Sequence, residues 1–256
     1  RFYKNKMDRL LDISKNLVAK GKQTLFSENK VAIVTGSLSG IGLGISHSLA
    51  KRGFNIILNG LANQAEIDRV SADFKTNIPK FNIYIYADLT KPVDCKNLVN
   101  QTLAKFGRVD VVVNNAGIQH IDECQNFPEH KWEEVIALNL SSAFYVTKYA
   151  LPSMIASGWG RIVNISSVHG LVASVNKSAY VSSKHGIVGF TKAVALECAK
   201  KGITSNADVQ DGFSLTHLKQ VQIIAQRDKV SFDEAYVKLV SEKQPSGKAS
   251  TTEDLG

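Results

Sequence analysis

Residues 30–52 read KVAIVTGSLSGIGLGISHSLAKR. The apolar run Val31 to Val34 fits a short strand buried on both faces. Thr35-Gly36-Ser37-Leu38-Ser39-Gly40-Ile41-Gly42 follows, and a helical pattern then continues to about Arg52. Glycines permit a tight turn and a close backbone approach to a pyrophosphate. The helix behind them offers its N-terminal N–H groups and the positive end of its dipole. Strand, glycine turn and helix in this order are the entry to a dinucleotide-binding βαβ unit.

The alternation persists along the chain. FNIILN (54–59), FNIYIYA (81–87), VDVVVNN (109–115), RIVNISS (161–167) and ITSNA (203–207) read as further strands. Helices are predicted from about Gln64, across 92–106, as one long helix over 130–157, and over 178–200. Short β-branched runs alternating with helices imply a parallel sheet covered on both faces. The predicted class is α/β: a doubly wound parallel sheet of the Rossmann type, three layers in a single domain. That domain spans 29–256 and follows a basic extension over 1–28.

Composition bounds the function classes. The 256 residues are 44% hydrophobic and 21% charged, which is ordinary for a globular chain. No apolar run approaches the roughly 18 residues of a membrane span. The formal charge is +8, but residues 1–30 alone carry eight basic and three acidic side chains. The basicity therefore belongs to the extension, and no nucleic-acid face is expected on the core. RLLDISKNLVAKGKQ reads as a solvated extension or a short amphipathic helix. The remainder of an organelle transit segment, or a contact with an anionic membrane surface, are the other readings. A chain opening on Arg1 reads as a processed or truncated product. Cys95, Cys124 and Cys198 are scattered without metal-ligand spacing. They point to no metal, no disulfide framework and a reducing compartment, cytoplasm or mitochondrial matrix.

Chemistry is concentrated in SAYVSSKHGIVGF. Tyr180 and Lys184 are four residues apart, so on a helix they share a face. An ammonium beside a phenol favours the phenolate and draws the tyrosine below its ordinary pKa of about 10. Such a phenol can exchange a proton with an alcohol or a carbonyl. Ser167, thirteen residues upstream, offers a hydroxyl to hold the same oxygen.

Gly36, Gly40 and Gly42 at GxxxGxG spacing, Asn114-Asn115-Ala116-Gly117 after the fourth strand, and Ser167 with Tyr180 and Lys184 together resemble the short-chain dehydrogenase/reductase family over about 30–207. The resemblance implies the roles. Tyr180 is the acid/base, Lys184 lowers its pKa and bonds the nicotinamide ribose, and Ser167 orients the substrate oxygen. Asn139, in ALNLSSAF, holds a water that links the lysine to solvent. The implied cofactor contacts are Gly36, Ser39, Gly40, Ile41, Gly42, Asp88, Leu89, Asn115, Ala116, Gly117 and Thr216, with Tyr180 and Lys184. Asp88 in ADLT matches an adenine contact, although it could equally cap the helix beginning near Pro92. Ser37, Leu38 and Ser39, and Asn59-Gly60-Leu61 after the second strand, are uncharged. A 2′-phosphate would require Arg or Lys there, so NAD is expected. The acidic residue typical of NAD binding is missing, with Asn59 in its place.

Gly117-Ile118-Gln119-His120 and the run from Ser166 to Tyr180 resemble those family members that interconvert (R)-3-hydroxybutyrate and acetoacetate. By that resemblance Gln119, His169, Lys177 and Gln222 hold the substrate carboxylate. A cation three residues before Tyr180 suits a charge-assisted bond to a small 3-hydroxy acid. Two alternatives stand beside this: a reductase of another 3-oxo or 3-hydroxy substrate, including an acyl-carrier-protein thioester, and a truncated, non-catalytic dinucleotide-binding relative.

The chain also departs from the family pattern. Asn206-Ala207-Asp208-Val209-Gln210-Asp211-Gly212-Phe213 lacks the usual Pro-Gly turn and sets two carboxylates where a dinucleotide would approach. LTHLKQVQIIAQ resembles a substrate lid, placed at about 213–242, with His217 in place of a proline. SEKQPSGKASTTEDLG resembles the approach to a final helix and strand, and the expectation is that this last strand is absent. In the family that segment carries subunit contacts, so a homo-oligomer, a homotetramer, is implied where it is present.

Overall fold

The computed structural model describes residues 29–77, 82–209, 226, 229–231 and 234–235. The strands are β1 (Val31–Val34), β2 (Asn55–Leu58), β3 (Asn82–Tyr84), β4 (Val111–Asn114), β5 (Gly160–Ile165) and β6 (Ile203–Asp208). They form one sheet in the order β3-β2-β1-β4-β5-β6, with every neighbouring pair parallel. The helices are α1 (Gly40–Lys51), α2 (Gln64–Asn77), α3 (Pro92–Phe106), α4 (Glu129–Ile136), α5 (Ser142–Ser157) and α6 (Ser178–Cys198). The predicted doubly wound sheet is present. Strand order reverses between β1 and β4, which opens a crevice beyond their C-terminal ends.

Successive side chains of a strand point to opposite faces. Val31 and Ile33 accordingly enter one apolar cluster, with Val99 of α3, Val146 and Met154 of α5 and Val194 of α6. Ala32 and Val34 enter the other, with Ile45 of α1 and Val70 and Phe74 of α2. β1, β2 and β4 are buried along their whole length because helices cover both faces.

Two predicted elements differ from those observed. The strand expected over 81–87 pairs only at Asn82–Tyr84. One further ladder bond, Ile85 N to Leu58 O at 2.9 Å, follows. The Asn59 side chain then replaces the backbone donor: Nδ2 donates to Ile85 O and to Ala87 O, both at 3.2 Å. The chain can leave the sheet there without losing its hydrogen bonds. The single helix expected over 130–157 is two helices joined by a π-helical turn at Ala137–Ser141. Such turns recur at functional sites, and this one carries Asn139.

The opposite end of the sheet is tied by Asp110, whose side chain is 1% exposed. Its Oδ2 accepts from Val31 N at 2.9 Å and from Arg108 Nε at 2.8 Å, while Oδ1 accepts from Arg108 Nη2 at 2.6 Å. Its backbone links β1 and β5 through Asp110 N to Val31 O and Arg161 N to Asp110 O, each 2.9 Å.

Residues 1–28 and the predicted lid, apart from 226, 229–231 and 234–235, lie outside the described residues. Among the described residues β6 is an edge strand, and no helix is long and apolar enough to cross a membrane. Asp110→Ala leaves the Val31 N–H and the Arg108 guanidinium without an acceptor. Urea denaturation should show about 3 kcal/mol lost from the unfolding free energy.

Candidate active site

At the switch point β1 and β4 diverge, and their last polar groups need partners other than the ladder. Thr35 supplies them. Its Oγ1 donates to Val113 O at 3.3 Å and accepts from Asn115 N at 2.9 Å and Ala116 N at 3.0 Å. Asn115 Nδ2 donates in return to Thr35 O at 2.9 Å and Gly36 O at 3.0 Å. Asn115, read from sequence as a cofactor contact, thus spends its amide N–H groups on the glycine turn. Gly36 and Gly40 have φ of +62° and +54°, left-handed values that strain other residues. A Cβ on Gly42 would overlap Gly36 O and Asn115 Nδ2, whereas one on Gly40 would meet nothing within 4 Å. The turn is closed on its protein side and open on the other.

Ser39 is the N-cap of α1, but its hydroxyl makes no cap bond, and the first turn has no acidic residue. The positive end of α1 is left for an anion. Ile41 packs against the apolar cluster beneath. A cleft of about 630 Å³ runs past this turn, lined among others by Gly36, Asn59, Asp88, Leu89, Ala116 and Gly117. That is an ordinary size for a cofactor or small-molecule site. Asp88 Oδ1 accepts from Thr90 Oγ1 at 2.7 Å and Thr90 N at 3.1 Å, and Lys91 lies 3.1 Å from Oδ2. The Thr90 hydroxyl first, then Lys91, hold this carboxyl below its ordinary range. Of the two roles weighed for Asp88, helix capping is not found: Lys91 is the cap residue of α3.

The residues expected to carry the chemistry gather between the end of β5 and the start of α6. Ser167, 7% exposed, stands two residues past the end of β5 and caps a short turn at Val168–Gly170. Lys184 is buried on α6, and its Nζ donates to Ile165 O at 2.7 Å. That Nζ lies 5.6 Å from the centroid of the Tyr180 ring, so the shared face expected from the spacing is realised. Burial pushes the Lys184 ammonium down to about 8. The helix is clamped to the strand end, because Ser166 Oγ donates to Lys184 O at 3.3 Å. A Cβ on Gly170 would come 2.8 Å from that same carbonyl oxygen.

Asn139 is 4% exposed. Its Oδ1 accepts from Ile118 N at 2.8 Å, and its Nδ2 donates to Ile118 O at 2.9 Å and Ser183 Oγ at 3.1 Å. Ser183 in turn donates to Tyr180 O at 2.8 Å. Asn139 therefore joins the loop after β4 to the turn carrying Tyr180. A Cβ on Gly117 would lie 3.3 Å from Asn139 Oδ1 and 3.8 Å from Lys184 Nζ, so this loop passes directly over the buried lysine.

Of the expected substrate contacts, Gln119 has a buried Nε2 without a hydrogen-bond partner among the described residues. Lys177 is the N-cap of α6 and follows Asn176, whose φ of +62° turns the chain into the helix. Asparagine tolerates that region better than most residues. His169 has both ring nitrogens beside serine hydroxyls, Ser167 Oγ at 3.3 Å and Ser174 Oγ at 2.7 Å. Thr216 and Gln222 lie outside the described residues, as does Asp211. Asp208 ends β6, with its carbonyl accepting from Ser166 N at 2.8 Å. Thr35, Ser174 and Ser183 were not singled out from sequence. Thr35 had a signal, a hydroxyl at the end of the first strand, and Ser183 lies between Tyr180 and Lys184; Ser174 had none.

A parallel sheet with a glycine turn at its switch point, and a serine, tyrosine and lysine beyond the next strand, define a short-chain dehydrogenase. Residues 30–224 match the short chain dehydrogenase family, and the chain belongs to it, an oxidoreductase. A D-beta-hydroxybutyrate dehydrogenase of Cupriavidus necator is 47% identical over 233 residues, 89% of this chain and 88% of that protein. Another of that name, from Rhizobium meliloti, is 42% identical over 228 residues, 88% of each chain. Among solved structures, a single-substitution variant of actinorhodin polyketide ketoreductase with NADPH superposes with a TM-score of 0.81 at 31% identity, covering 89% of this chain and 87% of that one. The open glycine turn, the uncapped end of α1 and the cleft fit a nicotinamide dinucleotide. Gly36, Asp88 and Gly117, three of the expected contacts, line that cleft.

Two outcomes follow from this geometry. Thr35→Val removes the acceptor of the Ala116 N–H and leaves Asn115 N with Val113 O alone, at 3.1 Å. It should cost about 1–3 kcal/mol in urea and weaken dinucleotide binding, with Thr35→Ser restoring both. Lys184 is charged in both folded and unfolded chains below pH 8. Between about 8 and its ordinary value of 10.5 only the unfolded chain keeps the proton, so stability rises with pH in that window. From pH 7.5 to 10 the unfolding free energy should rise more in the wild-type protein than in Lys184→Met.

Proposed function

We propose that this chain is an NAD-dependent dehydrogenase that interconverts (R)-3-hydroxybutyrate and acetoacetate, with Tyr180 as acid/base. The observation that carries the reading is the buried Lys184 beside the Tyr180 ring, with Ser167 at the adjoining strand end. The two relatives named D-beta-hydroxybutyrate dehydrogenase support the substrate. When bound, the dinucleotide supplies the hydride acceptor. In the oxidative direction Tyr180 Oη takes the proton of the C3 hydroxyl as C3 gives up its hydride, and the Lys184 ammonium favours the phenolate that receives that proton. Ser167 Oγ donates a hydrogen bond to the same substrate oxygen. In the reverse direction the phenol returns the proton.

The carboxylate is assigned to the Gln119 amide, whose Nε2 has no partner among the described residues, and to the Lys177 ammonium, joined by Gln222. A charge-assisted bond at one end and the serine at the other fix C3 for transfer. NAD, rather than its 2′-phosphorylated form, is favoured by the lining of the cleft. Asp88, Glu133 and Glu134 contribute three carboxylates, and among the described residues no lysine or arginine lines it. A 2′-phosphate would meet like charge. Assembly into a homo-oligomer belongs to the same reading, since α5 and α6 leave Phe144, Ile155 and Leu196 exposed. The reducing compartment, cytoplasm or mitochondrial matrix, agrees with the three cysteines being free thiols.

The test is NADH formation from (R)-3-hydroxybutyrate. Tyr180→Phe should lower kcat at least about 100-fold while NADH still binds by fluorescence titration. Full activity in that variant would sink the mechanism. Lys177→Ala should raise KM for the acid at least about tenfold. An unchanged KM would move the substrate to another 3-oxo or 3-hydroxy compound. NADP matching NAD in kcat/KM would overturn the cofactor assignment.

A further inference from the structure

The His169 ring bridges two hydroxyls of unequal standing. Nδ1 lies 3.3 Å from Oγ of Ser167, the residue that faces the reacting oxygen in the proposed function. Nε2 lies 2.7 Å from Oγ of Ser174, an exposed residue of the loop before α6. Ser167 Oγ also accepts from His169 N at 3.3 Å. The ring itself is buried, with its edge towards Tyr180 at a centroid distance of 5.8 Å and an interplanar angle of 70°. Serine, histidine and serine thus form a chain ending at the catalytic hydroxyl.

In a neutral imidazole one nitrogen donates and the other accepts, and the bond made by one nitrogen decides the state of the other. Two arrangements satisfy the chain. In the first, Ser174 donates to Nε2, so Nδ1–H donates to Ser167 Oγ. Ser167 then accepts from both the ring and the His169 backbone, and its own hydrogen is left for the substrate oxygen. In the second, Nε2–H donates to Ser174, so bare Nδ1 takes the Ser167 hydrogen. Ser167 then has only a lone pair to offer, and a ketone oxygen receives no hydrogen bond from it. The first arrangement alone gives a serine that stabilises negative charge developing on that oxygen.

We propose that Ser174 is a positioning residue that acts through His169: by donating to Nε2 it holds the ring in its Nδ1–H tautomer and turns the Ser167 hydroxyl towards the substrate. This rests on the reading of Ser167 as the residue facing the reacting oxygen. It gives His169 an indirect task in place of a direct grip on the carboxylate. The two tasks exclude each other at Nε2, because a carboxylate there requires Nε2–H and displacement of Ser174.

Ser174→Ala and Ser174→Thr test it in the full chain. Ring-nitrogen NMR of histidine-labelled protein reads the tautomer without substrate, and His169→Gln assigns the resonances. A protonated Nδ1 with a bare Nε2 in wild type, moving towards Nε2–H in Ser174→Ala and returning in Ser174→Thr, is the expected result. With (R)-3-hydroxybutyrate and NAD, kcat should fall about tenfold in Ser174→Ala at unchanged KM, and threonine should recover it. Wild-type Nε2–H, or nitrogen shifts indifferent to Ser174→Ala, would overturn the proposal. So would a lower KM for the acid in Ser174→Ala, which would show His169 gripping the carboxylate directly. If wild type does not turn over the acid at all, the substrate reading fails, while the nitrogen spectra still decide the role of Ser174.

Discussion

The site depends on one constraint: where the strand order reverses, the last polar groups of β1 and β4 must be satisfied without the ladder. An unpaired buried N–H costs about 1–3 kcal/mol, so a crevice cannot open here unless side chains take over. The Thr35 hydroxyl and the Asn115 amide do so reciprocally, each serving the backbone of the other's strand end. Asn59 and Ser37 repeat the arrangement one strand away, with Ser37 N to Asn59 O at 2.7 Å and Asn59 N to Ser37 Oγ at 2.9 Å. Side chains that replace ladder bonds leave the glycine turn rigid and the cleft walls fixed before any ligand arrives.

A second constraint is the buried cation. Lys184 sits where its ammonium is disfavoured by desolvation, with a backbone carbonyl accepting from Nζ. Such a group is costly to keep charged, and it lies 5.6 Å from the centroid of the Tyr180 ring. The surroundings share the cost by being stiff. Ser166 and the bare Gly170 press α6 onto the end of β5, while the π-helical turn brings Asn139 inwards to hold the loop over the lysine. The serine, tyrosine and lysine are therefore positioned by strand-end and helix-start geometry more than by one another.

Much of this was legible in the chain. The periods of the apolar runs marked six strands because a parallel sheet covered on both faces demands continuous β-branched segments. The tyrosine–lysine pair was legible because i and i+4 on a helix have one geometry. Strand length at β3 and the break in the long helix were not. Both go with side-chain bonds to backbone distant in the chain: Asn59 reaches across to the carbonyls of residues 85 and 87, and Asn139, within the break, bonds the backbone of Ile118. Asn115 read as a ligand contact, yet its amide N–H groups belong to the turn.

The sequence by itself determined the class of fold, the place of the glycine turn and the shared helix face of Tyr180 and Lys184, because these follow from local periodicity and short spacing. Only the tertiary structure decided how those groups are used. The depth of Lys184, the two serines at His169 and the burial of the Gln119 amide nitrogen come from residues that the fold brings together across long stretches of chain or around irregular turns. Hydrogen-bond direction and desolvation are properties of that assembled environment, and no pattern along the chain encodes them.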